Sequence, residues 1–223
     1  MRRAAKAPAS GVALRDLLIL IGVLGVLGAM AAPVLAFVRA GARDAGCKAN
    51  LRRLWSATTA YARAHEGALF VNLTVPPRIS NVIYRRGRIA SWGHLHPRYL
   101  ADYHTFFCPG DDGRGPAWTY GWSNWQADRG EVQCSYGYRG RQGLVADATV
   151  GLSMAMLERR PEWLLGCDFY EPFFAPPRVH HRGHTNLLRC NGSVGRVDQE
   201  VSFGPTVRHI DAAVRSLDRA GRH

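Results

Sequence analysis

Residues 17–38 read LLILIGVLGVLGAMAAPVLAFV, 22 positions without one charged side chain. As a helix this run is roughly 33 Å long, the thickness of a bilayer's hydrocarbon core. A buried core helix of that length and uniform apolarity is rare in a chain of 223 residues. A secretory signal peptide normally has a shorter apolar region of about 7–15 residues. The small residues at 29–31 (Ala-Met-Ala) nevertheless leave cleavage there open. The run is therefore expected to be a single membrane-spanning helix near the N-terminus.

The helical pattern does not stop at Val38. Apolar or small residues recur at Cys47, Leu51, Leu54, Thr58, Tyr61 and His65, at alternating steps of four and three. That spacing lines one face of a helix. Arg43, Lys48, Arg52 and Arg63 mostly fall off that face, and Gly67 supplies a stop. The prediction is one helix from about Leu14 to Glu66, roughly 80 Å long, with its first half in lipid and its second half packed on a globular head.

The N-terminal stretch GVALRDLLILIGVLGVLGAMAAP resembles the processing signal of type IV prepilins and type II secretion pseudopilins. In that family a basic leader ends in Gly, and a prepilin peptidase cuts after it and methylates the new amine. The resemblance implies cleavage between Gly11 and Val12, with 1–11 as leader and 12–38 as the membrane half. It makes Asp16 the acidic residue at mature position five, paired with the free amine of a sister subunit, and Pro33 the helix-loosening proline of filament packing. Val12, Ala13 and Asp16 stand where the family has Phe, Thr and Glu, and Arg15 stands where it is apolar. The Lys and Arg residues that follow the span at 39–53 oppose an N-in orientation under the positive-inside rule. The signal resemblance implies N-in nonetheless: a bacterial inner-membrane protein, single-pass, with an extracytoplasmic head.

A narrower resemblance covers more of the chain. CKANLRRLWSATTAYARAHEGALF, FFCPGDD and CSYGYRG are similar in order and content to segments of the DUF1559 group of prepilin-like proteins. Cys47, Asn50, Cys108 and Pro109 take the places of that group's motif residues. His181, nine residues and Asn191-Gly192 take those of its His-x9-Asp-Gly segment, with Asn for Asp. The group's cysteine places imply Cys47 and Cys108 as a disulfide pair outside the cytoplasm.

From residue 67 on, Gly, Pro, Asn and Asp punctuate short β-favouring runs. NVIYRRGRIASW reads as a hairpin around Arg86-Gly87, and WLLGCDFY as a buried strand. AMLERRPEW reads as a helical turn ending before Pro161, and 111–131 as a long loop. Asn191-Gly192 predicts a second hairpin with a type I′ turn, and 206–217 a short amphipathic helix. The expected fold class is α+β and pilin-like: helix halves 12–38 and 39–66, then a mostly antiparallel head over 67–223.

The head carries residues for several chemistries. A metal site of His180, His181, His184 and Cys190 is set aside, because ligands four apart on a strand and loop do not share a face. Cys108 with His181 as a nucleophile pair has no supporting motif. Asp111 and Asp112 read as a solvated turn in preference to a Ca²⁺ loop. Net charge is +12, but the basic residues are scattered and arginine far outnumbers lysine, a bias of composition more than a nucleic-acid patch. No nucleic-acid motif surrounds Trp92, Trp118, Trp122 and Trp125. The sequence thus predicts a structural subunit and not an enzyme, with no cofactor and no metal. The expected partners are prepilin peptidase, the membrane and sister subunits. An uncleaved membrane-tethered binding protein and a DNA-binding minor pilin are the alternatives.

Overall fold

The computed structural model describes residues 14–70, 79–110, 125, 130–140, 152–168, 181 and 183–198. Helix α1 runs unbroken from Leu14 to Ala64, 51 residues, and passes through Pro33. It ends two residues before the predicted limit, where Glu66 and Gly67 take positive φ (53° and 83°) and Gly67 N–H donates to Ala62 O at 2.8 Å. Glycine adopts that backbone without a Cβ penalty, which is why the stop falls there.

The chain divides into two compact units, Met1–Ala42 and Arg43–His223. In the first, every described residue is exposed. Among the described residues, the large exposed apolar side chains all lie between Leu14 and Val38 except Ile89. The helix is long and apolar enough to cross a membrane.

The second unit is a helix packed on a sheet. Cys47, Asn50, Leu51, Leu54, Ala57, Thr58 and Ala62 are the buried residues of α1. The predicted face is therefore correct through Thr58. Beyond it Tyr61 is half-buried and His65 exposed, the two rings stacked at 3.8 Å.

Six strands are described: β1 Ile79–Arg85, β2 Arg88–Ile89, β3 Glu131–Arg139, β4 Leu164–Asp168, β5 Thr185–Arg189 and β6 Val194–Val197. They form one sheet of order β2-β1-β3-β4-β5-β6, with every neighbouring pair antiparallel. This is the α+β class the sequence predicts. Both edges are short or half-exposed, and β4 at the centre is buried along its length, as expected for a strand covered by neighbours. One core joins Leu51 and Leu54 of α1 to Ile83, Trp92, Phe106, Val132, Tyr136, Tyr138 and Leu188. A short helix, α2, spans Met154–Arg159 and ends before Pro161 as predicted.

The two predicted hairpins differ in their turns. At β1–β2, Arg85 faces Arg88, and both residues between them have positive φ (Arg86 47°, Gly87 78°), the signature of a two-residue type I′ turn. At β5–β6 the hairpin forms as predicted, but the turn type does not. Gly192 has φ 82°, while Asn191 is not among the residues of positive φ. Gly192 N–H closes on Arg189 O at 2.9 Å, so Cys190 and Asn191 form the turn and Gly192 follows it as a left-handed bulge residue. Two contacts favour this form. Asn191 Oδ1 accepts from Ser193 N at 2.9 Å and from Ser193 Oγ at 2.6 Å. Gly192 also lies directly under the Trp55 indole of α1, where a Cβ would collide with the ring. The predicted helix over 206–217, and nearly all of the predicted loop 111–131, lie outside the described residues.

Candidate functional site

Five parts of the head bring polar side chains to one buried point. Helix α1 contributes Asp44 and Cys47, three residues apart and so neighbours on its surface. The chain after a 3₁₀ turn (Tyr103–Phe106) contributes Cys108. Asp168 ends β4, His181 and His184 precede β5, and Asn186 lies within β5. Tyr136 comes from β3, directly opposite Asp168 in the sheet.

Local sequence explains how Cys108 arrives there. Asn50 Nδ2 donates to Phe107 O at 3.0 Å and ties the loop to the helix. Pro109 sits against Gly46, where a Cβ would stand only 3.0 Å from the proline Cγ. The small residue at 46 lets loop and helix approach closely. Gly110 N–H then donates back to Cys108 Sγ at 3.2 Å.

The centre consists of four side-chain atoms. Cys108 Sγ is 3.2 Å from His181 Nε2. His181 Nε2 is 3.5 Å from Asp168 Oδ2, and the Cys47 thiol donates to that same oxygen at 3.5 Å. Cys47 Sγ, Cys108 Sγ and a His181 ring nitrogen all lie within 4.8 Å of one another. The four residues are between 0% and 8% exposed, so the site is sealed from bulk water.

Around this centre is a shell of donors. Asn186 gives its backbone N–H to Asp168 Oδ1 at 2.7 Å and its side-chain amide to Oδ2 at 3.0 Å. The same amide reaches Asp44 Oδ1 at 2.8 Å. Asp44 also meets His184 Nε2 at 3.0 Å and Lys48 Nζ at 2.7 Å. The His181 and His184 rings stack at 4.9 Å. The Tyr136 hydroxyl is buried beside Cys47 and Asn50 but makes no hydrogen bond of regular geometry with either.

The electrostatics follow from burial and contact. Burial, then Cys108 and Asp168 alongside, push the Cys47 thiol far above the ordinary thiol range. Burial opposes a charge on His181, but Cys108, Asp168 and Asp44 prevail and raise its pKa. Burial likewise works to raise Asp44. Hydrogen bonds from Lys48, Asn186 and His184 outweigh it and hold that carboxyl well below the usual range.

This geometry excludes one chemistry. A Cys–His–Asp relay needs the cysteine on one ring nitrogen and the carboxylate on the other. Here Nε2 faces both Cys108 and Asp168, and the buried Cys47 thiol, its pKa pushed up, is a poor nucleophile. The atoms converge on a point instead of lining up for proton transfer.

The structure sorts the predicted residues into four groups. Cys47, Asn50, Cys108, Pro109 and His181 come together. Cys47 and Cys108 are neighbours, and none of the five cysteines is in a disulfide. Asn191 and Gly192 lie at the far end of β5, roughly 17 Å away along the strand, and Cys190 lies with them, so the local ligand set of His180, His181, His184 and Cys190 does not assemble. Asp16 is exposed on the first turn of α1 beside Arg15, and Pro33 is in the membrane-length half. Gly11, Val12, His180, Asp111 and Asp112 lie outside the described residues.

Sequence reasoning missed Asp44, Tyr136, Asp168 and Asn186. Asp168 had a signal, an acid closing an otherwise apolar strand. Asp44 had a weaker one, an acid three before Cys47 and four before Lys48. Family models, curated proteins and solved structures were all compared with this chain, and none matches.

Proposed function

We propose that this chain is a membrane-anchored, pilin-like structural subunit, processed by prepilin peptidase between Gly11 and Val12 and assembled with sister subunits into a filament of the type IV pilus or type II secretion kind. One observation carries the reading. Helix α1 is a single 51-residue element whose first part bears bare apolar side chains and whose second part belongs to the core of a helix-on-sheet head. That division suits an anchor continuous with a scaffold. The spacing of Gly11, Asp16 and Pro33, and the prepilin-like segments around Cys47, Cys108 and His181, support the same family. In this reading α1 anchors in the bacterial inner membrane with the N-terminus cytoplasmic and the head outside.

A second reading, an uncleaved tether for an extracytoplasmic binding head, has one observation in its favour. Arg15 Nε stands 3.6 Å from Asp16 Oδ1, a local partner that competes with a neighbouring subunit's amine. N-terminal sequencing of the protein from its native membrane decides between them. A methylated Val12 terminus, abolished by Gly11→Val, supports the pilin-like subunit. An intact Met1, or a terminus near Ala31, sinks it.

A further inference from the structure

We infer that Cys47, Cys108, His181 and Asp168 form a closed, structural site for a tetrahedral divalent metal ion, zinc by its ligand chemistry, which staples α1 to the sheet. The inference is independent of the processing reading, because it concerns the folded head and not the leader.

Distances are the first argument. A tetrahedral zinc with bonds of about 2.3 Å to sulfur and about 2.0–2.2 Å to nitrogen and oxygen holds its ligand atoms about 3.4–3.8 Å apart. The contacts here are 3.2 Å for Cys108 to His181, 3.5 Å for His181 to Asp168 and 3.5 Å for Cys47 to Asp168. The two sulfur contacts are ordinary for thiol hydrogen bonds, the His181–Asp168 one is long, and all three lie close to edges of a coordination tetrahedron, with Cys47 and Cys108 also within 4.8 Å of each other. The single-nitrogen convergence that defeats a catalytic relay is what a metal requires.

The surroundings are the second argument. Binding removes a proton from each thiol, and one from His181 where the ring is charged, and releases them to solvent, leaving two thiolates, a carboxylate and a neutral imidazole around the cation. Buried thiolates need donors. Gly110 N–H already points at Cys108 Sγ. The Tyr136 hydroxyl, fully buried beside Cys47 and Asn50, makes no hydrogen bond of regular geometry, and a Cys47 thiolate would be a strong acceptor for it. Asn186 braces both oxygens of Asp168, the kind of outer support that ligating carboxylates receive.

The overlapping set of Asp44, His181 and His184 also has metal-ligand proximity. It is the weaker candidate, because Asp44 is already occupied by Lys48, His184 and Asn186. Two thiolates with an imidazole also favour zinc over the hard cations that carboxylates select. With four protein ligands and almost no solvent access, the site has no open position for substrate, so its role is structural.

The test uses the full chain, purified in detergent without chelators. Elemental analysis should find about one zinc per chain. Cobalt(II) exchanged into the site should give a thiolate-to-metal charge-transfer band and the visible absorption of tetrahedral coordination. Zinc should be lost in Cys47→Ser, Cys108→Ser and His181→Ala, and retained in His184→Ala. Asn186→Ala should weaken affinity about 10–100-fold. If the cysteine variants fail to fold, the cobalt spectrum of the unaltered protein still decides. Protein that takes up no stoichiometric zinc or cobalt overturns the inference. So does metal retained in the Cys47→Ser/Cys108→Ser double variant, or a Cys47–Cys108 disulfide in protein from its native compartment.

Discussion

One helix, α1, lives in two environments. From Leu14 to Val38 its leucines, isoleucines and valines are exposed, Leu24 at 58% and Phe37 at 81%. From Cys47 to Ala62 the same element buries Cys47, Leu51, Leu54, Thr58 and Ala62 at 0% exposure. The backbone is the same in both, so helix formation does not distinguish them. Side-chain distribution does. From Leu17 onward the first stretch is apolar all round and suits a solvent that is itself apolar. The second is apolar on one face only and suits a sheet. Burial, not helicity, is what assigns each part its task.

The largest test attacks the first part. Leu20→Arg with Leu24→Arg should abolish membrane retention in carbonate-washed fractions, since each arginine costs about 3 kcal/mol at the centre of a membrane helix. Retention of that variant would show that the apolar run is not the anchor.

Next, the same substitution can be placed on both parts. Leu54→Ala should cost about 2–5 kcal/mol of head stability in denaturant titrations. Leu24→Ala should stay within about 0.5 kcal/mol in the same assay. Equal losses would erase the contrast between the two environments.

A smaller effect is expected where the second part meets the β5–β6 turn. Gly192→Ala should cost about 1–3 kcal/mol, because the residue needs φ 82° and faces the Trp55 ring. Asn191→Asp should be nearly neutral, since its work is to accept from Ser193. A large loss for Asn191→Asp would mean that the side chain does more than turn the chain.

The smallest concerns pH. His94 packs on Phe70 at 5.7 Å and on Tyr61 at 6.3 Å. Burial, then His65, lower its pKa. The unfolded chain then binds the proton more readily, so stability rises with pH across the window between the folded value and about 6.5. Acidification below that point should lower the melting temperature, and His94→Phe should flatten the slope. An unchanged slope would remove His94 from the account.

Legibility differed from element to element. The β1–β2 turn was readable because Arg86-Gly87 sits between two β-favouring runs and the strands pair across it. The β5–β6 hairpin was readable for the same reason, but its turn type was not. Asn191-Gly192 is compatible with two turns, and the one observed is accompanied by the local bonds to Ser193 and by the Trp55 ring, which packing brings in. The buried face of α1 was readable from its period through Thr58 and failed at His65, which lies one residue past the helix end and is exposed.

The sequence by itself determined the long helix, its apolar first half, its one-sided second half and the places where the head turns. Those are local properties, set by side-chain period and backbone allowance over a few residues. Only the tertiary structure decided the site. Cys47 and Asp168 are 121 positions apart, and Cys108 and His181 are 73. Their meeting depends on the antiparallel register that sets Asp168 beside Tyr136, and on a helix docked closely enough for Gly46 to touch Pro109. A lone acid or thiol has no period to read, so its partners become visible only when strand pairing and packing bring them to the same few ångströms.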